Sequence, residues 1–454
     1  MLNEPSQSIF AIPVEGKVLL YRPLLRRAFV GNETMAEMTL RLVRGGASEA
    51  QDAPEEVVRF LESIDFLKPD PPPPPSPKRD YRPTTAVLLL TNRCNLRCTY
   101  CYAAGGEGTA SDLPMDQARV AIDAVSQNAQ ELGRSDFDLT FHGGGEPIQA
   151  WESLQSATRY ARSRELPCRV SMVTNGIWSK SQREWILENL DHVSISFDGR
   201  PATQDRQRPT ASGRGSSQAV LRTLHALDES GMPYGIRMTA TGPWRGELSE
   251  DVRFICEETG CSAMQVEPAF NVRRGTHQGP TMEESAAFVE AFMAAFEIAR
   301  RAGRQLTYSG ARPWLVTQTF CTAPYTALIV TPAGDLVTCY EVTEDAHPLN
   351  DLSHIGEIAD CHLCVDEEAH SAMLDYLDKK RAACQDCFCC WHCAGDCFVR
   401  AYYARARAKG GSNPRCYMSR EITARILLWY IMAGDGVWRG QGRHPQERRL
   451  MKAF

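Results

Sequence analysis

The sequence predicts an α/β protein: a curved parallel sheet of six strand–helix units, preceded by a small N-terminal unit and followed by an irregular C-terminal region. Three observations carry that reading. Short apolar runs alternate with amphipathic helical stretches through the middle of the chain. A proline run, DPPPPPSP at 70–77, marks off what precedes it. Cysteine is crowded toward one end, eleven of the seventeen lying from Cys321 to Cys416. At 454 residues the chain is too long for one ordinary core, so two or three domains are expected.

Taken in order, KVLLYRP and AFVGN read as short strands. MAEMTLRLVRG and PEEVVRFLESIDFL read as amphipathic helices, the second with Pro54 near its start. Strands followed by short helices make residues 1–69 a winged-helix-like module, and 70–83 a stiff extended linker. Strand candidates then recur at 86–90 (AVLLL), 137–141 (FDLTF), 169–173 (RVSMV), 193–197 (VSISF), 234–239 (YGIRMT) and 263–267 (AMQVE). Helical stretches such as MDQARVAIDAVSQNAQEL, SQREWILENL, SQAVLRTLHALDES and SEDVRFICEET lie between them. Six such units over 84–304 imply a partial (β/α)6, TIM-like barrel, whose functional groups gather at the C-terminal strand ends. Residues 305–430 are expected to be irregular, cysteine-rich and short of long periodic segments. REITARILLWYIMAG reads as a closing helix that ends the ordered part, with 431–454 as a tail.

Composition narrows the function classes. A net charge of -6 gives no electrostatic reason to expect nucleic acid as a partner. No apolar stretch is long enough to span a bilayer, and MLNEPSQSIFAIPVEG lacks the basic flank and apolar run of a secretory signal. The expectation is a cytoplasmic protein with no membrane partner. In a reducing compartment seventeen cysteines point to metal or cluster ligation rather than to a disulfide framework.

Cys94, Cys98 and Cys101, in TNRCNLRCTYCYA, follow the first barrel strand. Three thiols are one ligand short of a closed zinc site. A four-iron cluster held by three thiolates keeps one iron open for a further ligand. Zinc completed by a distant residue, or free buried thiols, is the alternative. The spacing of three and then two residues, with Tyr100 before the last cysteine, resembles the radical S-adenosylmethionine (SAM) superfamily. That resemblance implies an open iron that chelates SAM and yields a 5′-deoxyadenosyl radical on reduction. HGGGEP at 142–147 agrees: Gly143, Gly144 and Gly145 permit close backbone approach, and Glu146 offers an anion. In the family this motif holds the SAM amino group. Asn175, Ser196 and Asp198 match positions that meet methionine or ribose polar groups. Arg208 matches an arginine that pairs with the SAM carboxylate, and Arg237 is its rival for that role.

From Cys321 the spacing is again specific. Twelve residues separate Cys321 from Gly334 and four more precede Cys339; Cys384, Cys387, Cys393 and Cys397 are separated by two, five and three residues, and Cys416 follows after eighteen. The ordered run resembles the SPASM extension of radical SAM maturases, with a zinc ribbon as the alternative reading. The resemblance implies two auxiliary four-iron clusters, one held by Cys384, Cys387, Cys393 and Cys416, the nearer one by Cys321, Cys339 and Cys397. The family's further cysteine is missing, since that position is Ala327. The nearer cluster then has an open iron or borrows Cys361, Cys364, Cys389 or Cys390. Cys168, Cys256 and Cys261 read as packed small hydrophobes.

Residues 1–69 resemble in layout the PqqD-like domain that grips leader peptides by strand addition. Together these resemblances imply a peptide maturase that takes hydrogen from a ribosomally made precursor peptide and forms a side-chain crosslink (C–C, thioether or ether). They also imply three [4Fe-4S] clusters, SAM, and a reducing partner such as flavodoxin or ferredoxin. Sulfatase maturases carry Asp after the cysteine matching Cys339; here Tyr340 and then Glu341 follow, which argues against that activity and leaves these two as candidate proton acceptors. The rival readings are a maturase of a folded protein (a sulfatase or a dehydrogenase subunit) and a non-catalytic zinc or iron–sulfur scaffold that binds peptide.

Overall fold

Antiparallel pairing organises the N-terminal unit. Strands β1 (Phe10–Val14), β2 (Lys17–Arg22) and β3 (Arg27–Gly31) lie side by side. Glu15 and Gly16 join the first two with φ of 46° and 73°, the left-handed pair that a two-residue hairpin turn requires. The structure is a computed structural model, and it describes residues 8–45, 53–242, 246–269, 274, 279–405 and 413–440. Because strand residues alternate faces, β2 is buried on both sides. Leu20 packs with Phe29, Leu61 and Phe66 under the helices Glu33–Gly45 and Glu55–Ser63, while Leu19 and Tyr21 join the main core.

The central sheet follows from the six expected units. β4 (Thr85–Leu88), β5 (Phe137–Phe141), β6 (Cys168–Thr174), β7 (His192–Ser196), β8 (Tyr234–Ala240) and β9 (Ala263–Pro268) pair in parallel in chain order, and β10 (Gln305–Thr307) adds beyond β9. Their apolar residues face helices such as Met115–Glu131 and Ser217–Ser230, whose buried stripes repeat at helical spacing. On the other edge β11 (Ala327–Val330) pairs parallel to β4. β12 (Asp335–Val337), β13 (His354–Ala359) and β14 (His362–Val365) then continue antiparallel. The cysteine-rich region thus extends the same eleven-stranded sheet.

Two expectations are corrected. Residues 305–430 are not short of regular structure, since the helix Glu367–Ala382 runs 16 residues. Its buried side chains are few, among them His370, Met373 and Leu374, so its apolar stripe is too thin to register as a period. Nor does the helix Pro414–Ala433 end the ordered part: β15 (Val437–Trp438) follows and pairs antiparallel with β3. A two-residue strand carries no periodic signal, and it forms only because β3 offers an edge.

The proline segment is strapped down at both ends. Asp70 accepts from Arg22 Nη2 at 2.8 Å, Gln318 donates to the Pro74 carbonyl, and Arg79 reaches Asp375 and Asp378 at 2.6 and 2.8 Å. Among the described residues no helix is long and apolar enough to cross a membrane. Trp438 is fully buried, edge-on to Tyr21 at 6.1 Å, so Trp438→Ala is expected to cost about 3–5 kcal/mol. A urea or thermal midpoint close to that of the parent would show that β15 is dispensable.

Candidate active site

The loop after β4 carries Cys94, Cys98 and Cys101, and the loop after β5 carries Gly143, Gly144, Gly145 and Glu146. The two dock main chain to main chain. Gly145 N–H donates to the Thr91 carbonyl and Glu146 N–H to the Arg93 carbonyl, both at 2.8 Å. A Cβ on Gly145 would stand 2.1 Å from the Arg93 carbonyl oxygen, and one on Gly143 would stand 2.3 Å from that of Gly145. At Gly144 the nearest atom is 3.8 Å away, so only its neighbours are glycine for reasons internal to the protein. The cysteine loop also pairs with the segment 207–210: Thr99 N–H donates to the Gln207 carbonyl and Arg97 N–H to that of Pro209.

A cavity of about 400 Å³ opens at these strand ends. Cys94, Cys98, Cys101, Tyr100, the three glycines and Glu146 line it, with Asn175 and Ser196 at the ends of β6 and β7, Arg208 just after the helix Pro201–Gln207, and Arg237 within β8. Cys321, Cys339, Tyr340, Glu341 and Cys397 line the same cavity, Tyr340 stacking on His142 of the loop after β5. Asp198 is not among the lining residues. It stands behind the wall, its side chain fully buried, and accepts from Tyr100 Oη (2.5 Å), Gln207 Nε2 (2.9 Å), Arg208 Nε (2.8 Å), Arg208 Nη2 (3.1 Å) and Thr239 N–H (2.8 Å). Those donors saturate the carboxylate, so Asp198 positions Tyr100 and Arg208 and offers nothing to a ligand.

Glu146 is held by Thr174 Oγ1 at 2.5 Å and Asn175 N–H at 2.7 Å, while burial pushes its carboxyl up to about 7. Asn175 is fixed by Asn95, to whose Oδ1 its Nδ2 donates at 2.7 Å. His142 accepts from Gly143 N–H at 2.9 Å through Nδ1 and stacks on Tyr340 at 4.2 Å; burial, with Arg237 nearby, lowers it to about 3, so the ring is neutral. Glu341 is ion-paired with Arg400 at 3.1 Å. Tyr340 is raised by the neighbouring Cys321 and by burial, which suits a hydrogen-bond donor better than a proton acceptor.

The chemistry of the donor set fits clusters. Backbone N–H groups point at the sulfurs, from Leu96 to Cys94 (3.5 Å), Gly105 to Cys101 (3.5 Å), Ala323 to Cys321 (3.5 Å) and Glu341 to Cys339 (3.4 Å). Such bonds favour thiolate and tune a bound cluster. Without metal, burial pushes Cys94 up to about 12 and Cys98 up to about 11, so metal entry must displace protons. Among the described residues no three or more His, Cys, Asp or Glu side chains converge on a point that would hold one metal ion. A cluster spreads its ligands more widely than a single zinc does.

The remaining thiols separate into a second place. Cys384, Cys387, Cys393 and Cys416 neighbour one another electrostatically and lie off the cavity. The division is made by the turn Ala394–Gly395–Asp396, three successive residues with φ of 48°, 88° and 67°. Left-handed backbone costs roughly 1–2 kcal/mol at each non-glycine residue, and here Lys380, donating to the Asp396 and Cys397 carbonyls, helps hold it. The turn sends Cys393 to one group and Cys397 to the other. Cys361 and Cys364 are exposed on the β13–β14 hairpin, and Cys389 donates toward Ser419 and Thr423, so neither pair of spare cysteines lines the cavity beside Cys397. Cys168 and Cys261 are buried and Cys256 is partly so.

The sequence reading missed His142, Asn95 and two arginines that grip the cysteine loop. Arg97 donates to the carbonyls of Cys94, Leu96 and Gly106; Arg274 donates to those of Cys98 and Gly105. Arg97 sits inside the cysteine motif and was legible there, but Arg274 comes from a distant loop that has no pattern.

Known proteins resemble this chain in the same region. Residues 88–255 match the family described as the radical SAM superfamily. The sporulation killing factor maturation protein SkfB of Bacillus subtilis is 29% identical over 200 residues, 43% of this chain and 45% of that protein. The PqqA peptide cyclase of Streptomyces rochei is 26% identical over 271 residues, 57% of this chain and 69% of that one. The chain spans about half the length of the curated relatives it matches. Among solved structures, anSMEcpe with bound AdoMet superposes with a TM-score of 0.60 at 17% identity, over 77% of this chain and 99% of that one, a likeness of fold.

Two outcomes follow from the geometry. Gly145→Ala should lower the melting midpoint markedly, whereas Gly144→Ala should leave it near the parent; equal midpoints would refute the steric assignment. For Glu146 the folded pKa is raised, so its ionisation penalises the fold increasingly as pH rises from about 4.5 to 7. Glu146→Gln should therefore gain stability relative to the parent by about 2–3 kcal/mol at pH 8. Unfolding midpoints of the two proteins that keep the same gap at pH 4.5 and pH 8 would contradict this.

Proposed function

We propose that this chain, whose residues 88–255 match the radical SAM superfamily, is a maturase that modifies a ribosomally made precursor peptide. One observation carries the reading: one cavity is lined both by Cys94, Cys98, Cys101 and the glycine loop and by Cys321, Cys339 and Cys397. SAM bound to the open iron of a four-iron cluster supplies, on one-electron reduction, a 5′-deoxyadenosyl radical able to take hydrogen from an unactivated carbon. Cys94, Cys98 and Cys101 would hold that cluster. The glycine loop would receive the SAM amino group and Arg208, oriented by Asp198, its carboxylate, with Arg237 on the next strand.

In the same cavity, Cys321, Cys339 and Cys397 would hold a second centre, able to accept the electron given up when the substrate radical left by hydrogen abstraction is oxidised. That arrangement suits net two-electron bond formation, and so crosslinking of two side chains. The curated relatives support a peptide substrate, since one is named for maturation of a sporulation killing factor and another as a peptide cyclase. Tyr340, stacked on His142, occupies the place next to Cys339 where a sulfatase maturase has Asp, which favours the peptide reading over formylglycine formation.

Anaerobically reconstituted protein should convert SAM to 5′-deoxyadenosine when reduced with dithionite, and Cys98→Ala should lose at least 100-fold of that rate, about 3 kcal/mol. Intact SAM in both would leave the scaffold reading. With a precursor peptide as substrate, mass spectrometry should show the loss of two hydrogens per crosslink; an unchanged mass would refute crosslinking.

A further inference from the structure

A line of alternating charge runs between the two groups of thiols at the C-terminal side of the cavity. Glu341 Oε1 accepts from Arg400 Nη2 at 3.1 Å, and Arg400 Nη1 donates to Glu267 Oε2 at 2.7 Å. Arg415 Nη1 reaches the same Glu267 oxygen at 3.4 Å, and Arg415 Nε donates to Asp396 Oδ2 at 2.8 Å. Glu267 lies on β9, Asp396 in the left-handed turn, and the two arginines on the helices Phe398–Arg405 and Pro414–Ala433. The Arg415 side chain is fully buried and those of Asp396 and Glu267 nearly so.

Stability is a weak explanation for so many buried ions. Each loses several kcal/mol of hydration before pairing, and apolar residues of the same volume commonly serve as well. What marks the line is its neighbours. Glu341 N–H donates to Cys339 Sγ at 3.4 Å; Asp396 adjoins Cys397, Arg400 follows it by one helical turn, and Arg415 adjoins Cys416. The charges that act most strongly on Cys397 are those of Glu341, Arg400 and Arg415, followed by Asp396, and Arg415 also acts on Cys393 in the other group.

We propose that this line sets the reduction potentials of the centres held by the two groups of thiols. Arg400 and Glu341 act in opposite senses on the centre of Cys321, Cys339 and Cys397, and Arg415 is shared between the two. The inference rests on the reading of those cysteines as cluster ligands. An electron added to a thiolate-ligated centre adds negative charge. A guanidinium fixed beside it in a poorly screened interior favours the reduced form, and a carboxylate opposes it. Glu341 is then a positioning residue of electrostatic kind, tied to Arg400 rather than free to take a proton.

The test is a potentiometric titration followed by electron paramagnetic resonance on anaerobically reconstituted full-length protein. Arg400→Gln should shift the centre of Cys321, Cys339 and Cys397 to more negative potential and Glu341→Gln to less negative potential. The double variant should return toward the parent, and Arg400→Lys, which keeps the charge, should stay near it. The centre of Cys94, Cys98 and Cys101 should move least. If Arg400→Gln loses its iron, Glu341→Gln and Arg400→Lys still decide the sign. Shifts of one sign in both single variants, or none in protein with its full iron, would overturn the proposal. About four irons per chain in the parent, instead of about twelve, would instead remove the auxiliary centres themselves.

Discussion

The contact between the loop after β4 and the loop after β5 is made by backbone alone, and much else is arranged around it. Gly145 lies so close to Arg93 that no side chain fits, and two N–H to carbonyl bonds lock the approach. That closeness brings three thiols and a glycine cradle to one face. It also leaves Glu146 buried beneath them, held by Thr174 and Asn175 at the cost of a raised carboxyl pKa. A looser contact would admit water between cysteines and cradle and would separate the two halves of the site.

The C-terminal region is built on a comparable constraint. Only three residues separate Cys393 from Cys397, yet the two belong to different groups, because those three are left-handed and reverse the chain. Strain of that kind persists only where surrounding bonds over-determine it. Here the Lys380 ammonium and the Arg415 guanidinium grip Asp396 from two directions. The same grip threads charge between the groups, so the feature that divides the thiols also couples their surroundings.

At the other end the chain closes on itself. The antiparallel sheet of β1, β2 and β3 is flanked by β15, whose Trp438 fills the space against Tyr21, while Pro13 interrupts the ladder donors of the opposite edge strand. The proline strap ties this unit to Gln318 and Asp378 on the cavity rim. The N-terminal unit and the cavity are therefore mechanically joined through the proline strap.

The sequence by itself determined the repeating units of the central sheet, since alternating burial writes a period of two in strands and 3.6 in helices. It also determined that Cys94, Cys98 and Cys101 stay together after the first central strand, because eight residues leave them no room to part. Tertiary structure alone decided that β11 joins β4, that β15 joins β3, and that Asp198 stands behind the wall instead of facing the cavity. It alone brought Glu341 to Arg400 and Arg274 to the cysteine loop. Those are pairings between residues tens to hundreds of positions apart. Their partners are chosen by packing geometry, which leaves no periodic trace along the chain.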